Sequence, residues 1–230
     1  MFFGIDPLYL ILVVPALIIS LIAQINVKSA FAKYSRIFNS KGYTGYLIAR
    51  KILDDNGLHH VQIEQIAGSL TDHFDPTKRV VRLSQTVYSS NSVAAIGVAA
   101  HEVGHAIQHN VGYFPIKIRS AIVPMTNIGS FLAWPLAVLG IILGNETLAL
   151  VGVCLFSLVV FFQLVTLPVE FNASRRALET IRRETILEGN EYQGAKKMLT
   201  AAALTYVAAL VVAVANLLRL LSMVNRNRRN

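Results

Sequence analysis

Charge is scarce in this 230-residue chain: 15% of residues are Asp, Glu, Lys or Arg, against roughly 25% in ordinary soluble domains. Four stretches, 7–25, 121–143, 147–169 and 199–218, contain none at all. At about 1.5 Å per helical residue, each is long enough to cross a hydrocarbon core of roughly 30 Å. Four such blocks are poorly explained as buried helices of a soluble domain. A single cysteine, Cys154 in the third block, excludes an internal disulfide and reads as a small buried hydrophobe. No Lys or Arg precedes the first block, whereas a cleavable secretory signal needs a positive leading segment, so the block reads as a retained anchor. Internal repeats, low-complexity tracts and nucleic-acid modules are absent, so the net charge of +8 carries no argument for nucleic-acid binding.

What charge there is has a pattern. If all four blocks cross, 26–120 and 170–198 share one side, and the chain's two ends share the other with the turn at 144–146. Of the 21 Lys and Arg, eleven lie in 26–120, six in 170–198 and four after 218. The excess places the two polar segments in the cytoplasm, next to an anionic lipid surface. The four in the tail oppose that placement unless the fourth block is re-entrant.

Between the first two blocks the sequence changes period. Thr44 and Gly57 bracket a helix whose stripe is Leu47, Ile48, Ile52 and Leu53. "VQIEQI" alternates and "RVVRLS" is β-rich, with Asp72–Thr77 turning the chain between them, which predicts a small sheet. From Asn91 or Ser92 as N-cap, an Ala/Val-rich helix runs to about Asn110.

That helix carries His101-Glu102-Val103-Gly104-His105. Residues i and i+4 share a helix face, so two imidazoles can bind one Zn2+, with Glu102 beside them to take a proton from water. A surface histidine pair does not explain two His and a Glu on an otherwise apolar helix. A catalytic zinc needs a third protein ligand. His109 continues the i+4 series, but three successive turns of one straight helix wrap an ion badly. His73, in "TDHFDP", fits better as a residue lining the cleft or holding the turn. Glu170, in "LPVEFNASRRAL", is the better choice: blocks two and three form a hairpin through Gly144-Asn145-Glu146, which returns Glu170 to the face where the His101 helix ends. Pro168 permits a kink there.

Together, "AAHEVGHAIQH", "LTDHFDP" and "LPVEFNASRRAL" resemble the bacterial membrane neutral zinc metallopeptidases of the YugP type, a branch related to the HtpX-like gluzincins. The resemblance covers nearly the whole chain, including "TAAALTYVAA" in the fourth block. It implies a thermolysin-like zinc site with His101, His105 and Glu170 as ligands and Glu102 as base, in a bacterial cell membrane. One stretch departs from the pattern: Glu-Phe-Asp-Ala-Ser in the family is Glu-Phe-Asn-Ala-Ser here, with Asn172. The Asp that follows the ligand Glu by four residues in the HtpX-like branch is Ser174. A carboxylate orienting a ligating histidine is therefore not evident, although Asn172 can accept a hydrogen bond from an imidazole.

The expected architecture is a mainly α integral membrane protein with about four transmembrane helices and a small α+β cytoplasmic zincin-like (minimal gluzincin) domain. Its regions are an anchor (1–25), a catalytic region (26–120), a transmembrane hairpin (121–169), a helix carrying Glu170 (170–198), a fourth transmembrane or re-entrant helix (199–218) and a basic tail (219–230). The expected activity is zinc-dependent endopeptidase cleavage of membrane or membrane-proximal proteins, misfolded ones among them. Further expectations are that His73, Arg175 or Arg176 assists the oxyanion, and that the strand 80–84 pairs with extended substrate. The alternative is an inactive zinc-binding scaffold, against which the intact Glu102 argues. A metal transporter is disfavoured because the four blocks hold no Asp, Glu or His.

Overall fold

The structure, a computed structural model, describes residues 7–227. The stretch ahead of the first apolar block and the last three residues of the basic tail lie outside the described residues. A π-helical turn, Tyr9–Val13, leads into α1 (Val14–Tyr34), followed by α2 (Gly45–Asp55), β1 (Gln62–Ile66), β2 (His73–Asp75) and β3 (Val80–Ser84). Then come α3 (Gln85–Tyr88), α4 (Val93–Asn110), α5 (Phe114–Ile142), α6 (Glu146–Arg183) and α7 (Gly189–Asn227). Four helices are long and apolar enough to cross a membrane: Tyr9–Tyr34, Phe114–Ile142, Glu146–Arg183 and Gly189–Arg226.

The chain divides into two compact units. One comprises the residues up to Gln24, Lys117–Leu167 and those from Thr205 on. Its helices meet through small residues. A Cβ on Gly152 would lie 2.5 Å from the Ala137 nitrogen, and one on Gly140 would lie 2.3 Å from that of Ala149. Without an aqueous hydrophobic drive between helices, close backbone approach of this kind is what packs membrane spans. Cys154 is exposed on α6 rather than buried as expected, because the small residues that pack, Gly152 and Val153, lie on another face of the helix.

The second unit, Ile25–Ile116 with Pro168–Leu204, carries the three-stranded sheet and its own core. Ile48, Ile52 and Leu53 of α2 and Val81 and Leu83 of β3 pack on α4, which is buried on nearly every face from Val93 to Gln108. Local chemistry sets the helix starts: Thr44 accepts from the Leu47 amide at 3.3 Å and Ser92 from the Ala95 amide at 3.2 Å. An isolated antiparallel bridge joins Phe38 to Ser92, which ties the chain after α1 to the start of α4.

Several expectations change. The segment 72–77 is not all turn, because His73–Asp75 forms a strand antiparallel to β3. It is held from outside itself: the Asp72 carboxylate accepts the Ser84 amide at 2.7 Å, and Asp75 pairs with Arg82 at 2.8 Å. The order is β1-β3-β2, with β1 parallel to β3 along its whole length, so β3 is the central strand. Val80–Ser84 therefore cannot offer a free edge to substrate, because its backbone groups are taken by neighbours on both sides. Nor is 170–198 a separate helix. Glu170 lies inside α6, which runs unbroken through Pro168, and α7 begins at Gly189 and continues into the tail.

Candidate metal centre

The candidate centre lies within the second unit, where α4 meets the last turns of α6. Close approach is possible because position 104 is glycine: a Cβ there would lie 2.8 Å from the Ala173 carbonyl oxygen. One turn away on α6 from Ala173, the Glu170 carboxylate faces the two imidazoles that flank Gly104 on α4. Its Oε2 is 3.3 Å from His101 Nε2 and 3.5 Å from His105 Nε2. These are separations a metal would impose. With bonds of about 2.0–2.1 Å, a tetrahedral ion sets its ligand atoms roughly 3.3–3.4 Å apart. The donor set, two imidazole nitrogens and one carboxylate oxygen, is also one that zinc accepts.

Glu170 is 2% exposed, and a buried carboxylate is costly unless opposite charge or hydrogen bonding compensates it. His101 and His105 supply such partners. Burial alone lowers the His105 pKa, but the hydrogen bond to Glu170 and the charges of Glu170 and Glu102 outweigh it, and the net shift is upward. Glu102 is itself buried on α4, next to His101 in sequence.

Behind the histidines runs a polar chain whose atoms fix its own donor directions. The Arg176 Nε–H, which can only donate, bonds Asn172 Oδ1 at 2.8 Å. The same oxygen accepts from Gln108 Nε2 at 3.0 Å, and Gln108 Nε2 also donates to the Val169 carbonyl at 2.7 Å. With its amide nitrogen engaged by two acceptors, Gln108 turns Oε1 to His105 Nδ1 at 3.0 Å. Nδ1 must then carry a proton, so in the neutral ring Nε2 is the nitrogen left to ligate a metal. Ser174 Oγ lies 3.1 Å from His101 Nδ1 and can hold that ring the same way.

The structure thus brings His101, His105 and Glu170 together, with Glu102 on the same helix. It places the other candidates elsewhere. His73 is exposed on β2, with Nδ1 at 2.9 Å from the Thr71 carbonyl and Nε2 at 3.4 Å from Arg82. Arg175 is exposed 3.9 Å from Glu179, and the His109 ring packs 5.5 Å from that of Phe74. Asn172 does not reach an imidazole directly, since Gln108 stands between. Sequence reasoning missed Gln108 and Ser174 as partners of the histidines. The available signal was spacing: Gln108 follows His105 by three residues and Ser174 follows Glu170 by four, each one helical turn.

The protein family described as "Putative neutral zinc metallopeptidase" matches residues 9–225 of the chain. A Bacillus subtilis (strain 168) protein named "Putative membrane protease YugP" is 51% identical over 212 residues, covering 92% of this chain and 94% of that protein. No solved structure matches.

Proposed function

The chain belongs to this family of neutral zinc metallopeptidases, and from that premise we propose that it is an integral-membrane zinc endopeptidase of the gluzincin type. In this reading His101, His105 and Glu170 hold the metal and Glu102 is the general base. The observation that carries it is the convergence of Glu170 Oε2 on both Nε2 atoms at 3.3 and 3.5 Å, across two helices 65 residues apart in sequence. Zinc bound there would supply Lewis acidity to the scissile carbonyl and acidify the attacking water. Glu102 takes that water's proton and delivers it to the leaving amine. Gln108 and Ser174 keep the two imidazoles in the tautomer and orientation that ligation requires.

Glu170 follows the apolar stretch 147–169 of α6 without a break, which supports a site at the level of the membrane surface. Substrates of this reading are membrane proteins or polypeptide segments exposed beside the bilayer. β1 and β2 are the edge strands of the sheet; β2, whose Phe74 packs against His109 of α4 and which carries His73, is the one beside the zinc helix and the one to pair with an extended substrate. The positive-charge excess supports a catalytic side facing the cytoplasm.

The test is Glu102→Gln beside wild type, purified in detergent with zinc, with metal content and cleavage of a casein-like and a membrane substrate both measured. Both proteins should hold one zinc, and only wild type should cleave well, the variant being slower by about 10²–10⁴-fold. Equal zinc with no cleavage by either protein, across a broad peptide library, would overturn the protease reading in favour of a zinc-binding scaffold. Full zinc content in His101→Ala would overturn the site.

A further inference from the structure

A groove of about 500 Å³ lies between the last turns of α1 and the first turns of α7, and no residue of the candidate metal centre lines it. The helices approach there because residue 194 is glycine: a Cβ would come within 2.7 Å of the Tyr34 ring. Three lysines line the groove, Lys33 from α1 and Lys196 and Lys197 from α7, while no Asp or Glu does. Ser29 and Thr200 add hydroxyl groups. The other end of the groove is apolar, where Leu204 lines it and is 45% exposed; Ile25, just before the groove on α1, is 59% exposed.

As membrane spans, α1 and α7 run in opposite senses through the bilayer, and this brings the lysines to one level. Lys33 lies eight residues past the apolar stretch 7–25, about 12 Å along the axis. Lys196 and Lys197 stand about 3–4.5 Å before the stretch 199–218. Helical side chains lean toward their helix N-terminus. Lys33 therefore leans back toward the membrane, and Lys196 and Lys197 lean away from it. Both sets reach the polar headgroup layer, roughly 5–8 Å thick on each side of the hydrocarbon.

We propose that this groove binds the phosphate headgroup of one anionic phospholipid, its acyl chains lying along the apolar end toward Leu204. Three like charges around one groove repel one another, and a phosphate anion relieves that repulsion. A zwitterionic headgroup carries its own ammonium into the same cluster and relieves less. The apolar end favours a lipid over soluble phosphate, which gains nothing from Leu204 or Ile25. The site is independent of zinc and of peptide hydrolysis.

Native mass spectrometry of the full chain in nonionic detergent, titrated with dioctanoyl phosphatidylglycerol or dioctanoyl phosphatidylcholine, tests this. Wild type should retain one phosphatidylglycerol preferentially. The triple variant Lys33→Gln/Lys196→Gln/Lys197→Gln should lose the preference by on the order of tenfold or more, with its zinc content unchanged. Lys28→Gln, on α1 but outside the groove, should bind like wild type. Should the triple variant not fold, the three single variants give the same reading, since each removes an exposed charge. Equal retention of both lipids, or an unchanged preference in the lysine variants, overturns the proposal. So does displacement of the lipid by glycerol phosphate at equal concentration, which would mark a soluble-phosphate site.

Discussion

At Gln108 a single neutral side chain stands against His105 Nδ1, the position that a carboxylate takes in many zinc sites. It is fully buried, accepts from His105 Nδ1 and spends its two amide protons on Val169 and Asn172. Replacing it by leucine keeps the volume close but leaves the imidazole proton without its acceptor and takes one donor each from Val169 and Asn172. Gln108→Leu should therefore weaken zinc binding by about 10–100-fold, as read by competition with a chromogenic chelator. Asn172→Asp should not, because an aspartate oxygen still accepts from both Gln108 and Arg176 and gains an ion pair with the latter. A Gln108→Leu protein that binds zinc within threefold of wild type would show that the chain of bonds is incidental to the metal. The grouping of His101, His105 and Glu170 was legible in the sequence, because the helix repeat puts the two histidines on one face and the hairpin of apolar blocks returns Glu170 toward them. Gln108, Asn172 and Ser174 were not, because a neutral amide or hydroxyl gains its meaning only from the partner that another helix places against it.

At the scale of elements, the site depends on how closely α4 and α6 approach. Gly104 stands between the two histidines, and the Ala173 backbone occupies the space a side chain would take. A methyl group 2.8 Å from a carbonyl oxygen forces the helices apart, at a cost of about 1–3 kcal/mol, and carries Glu170 away from the imidazoles. Gly104→Ala should lower both thermal stability and zinc affinity. Gly97→Ala, on the same helix, meets the flexible end of Met198 at 2.9 Å, and should lose stability less and zinc affinity hardly at all. Calorimetry and chelator competition on the two variants separate the effects; equal zinc affinity in both would refute the spacing argument. The long helices were readable because an apolar run of span length leaves little choice of structure. β2 was not, since three residues ending in Asp75-Pro76 look like a turn until Asp72 and Asp75 find Ser84 and Arg82. The position of β3 at the centre of the sheet follows from the same missed strand.

For the whole molecule, the open question in the sequence was where the basic tail goes. α7 is one continuous helix from Gly189 to Asn227, which excludes a re-entrant turn within the described residues, and its charge-free stretch 199–218 measures about 30 Å. The far end of that stretch is marked by Arg219. Within the first unit its guanidinium lies 4.9 Å from the Tyr9 ring centroid and 5.2 Å from that of Trp134. Tyr9 opens the first span, so residue 219 stands at the level where α1 begins. Aromatic rings and a cation grouped at one depth are what a membrane–water interface selects. We propose that all four spans cross, which would leave 26–113 and 184–188 on one side and the start of the first span and the end of α7 on the other. The charge count supports this, because 26–120 and 170–198 together hold seventeen of the 21 Lys and Arg and the four beyond 218 are outnumbered. A reporter active only in the cytoplasm should therefore be silent when fused after Asn230 and active when inserted between Thr185 and Glu188, and a periplasmic-type reporter should show the reverse. Activity of the same reporter at both positions would require α7 to stop short of a full crossing, and the pairing of Arg219 with Tyr9 would then lose its meaning as a marker of depth.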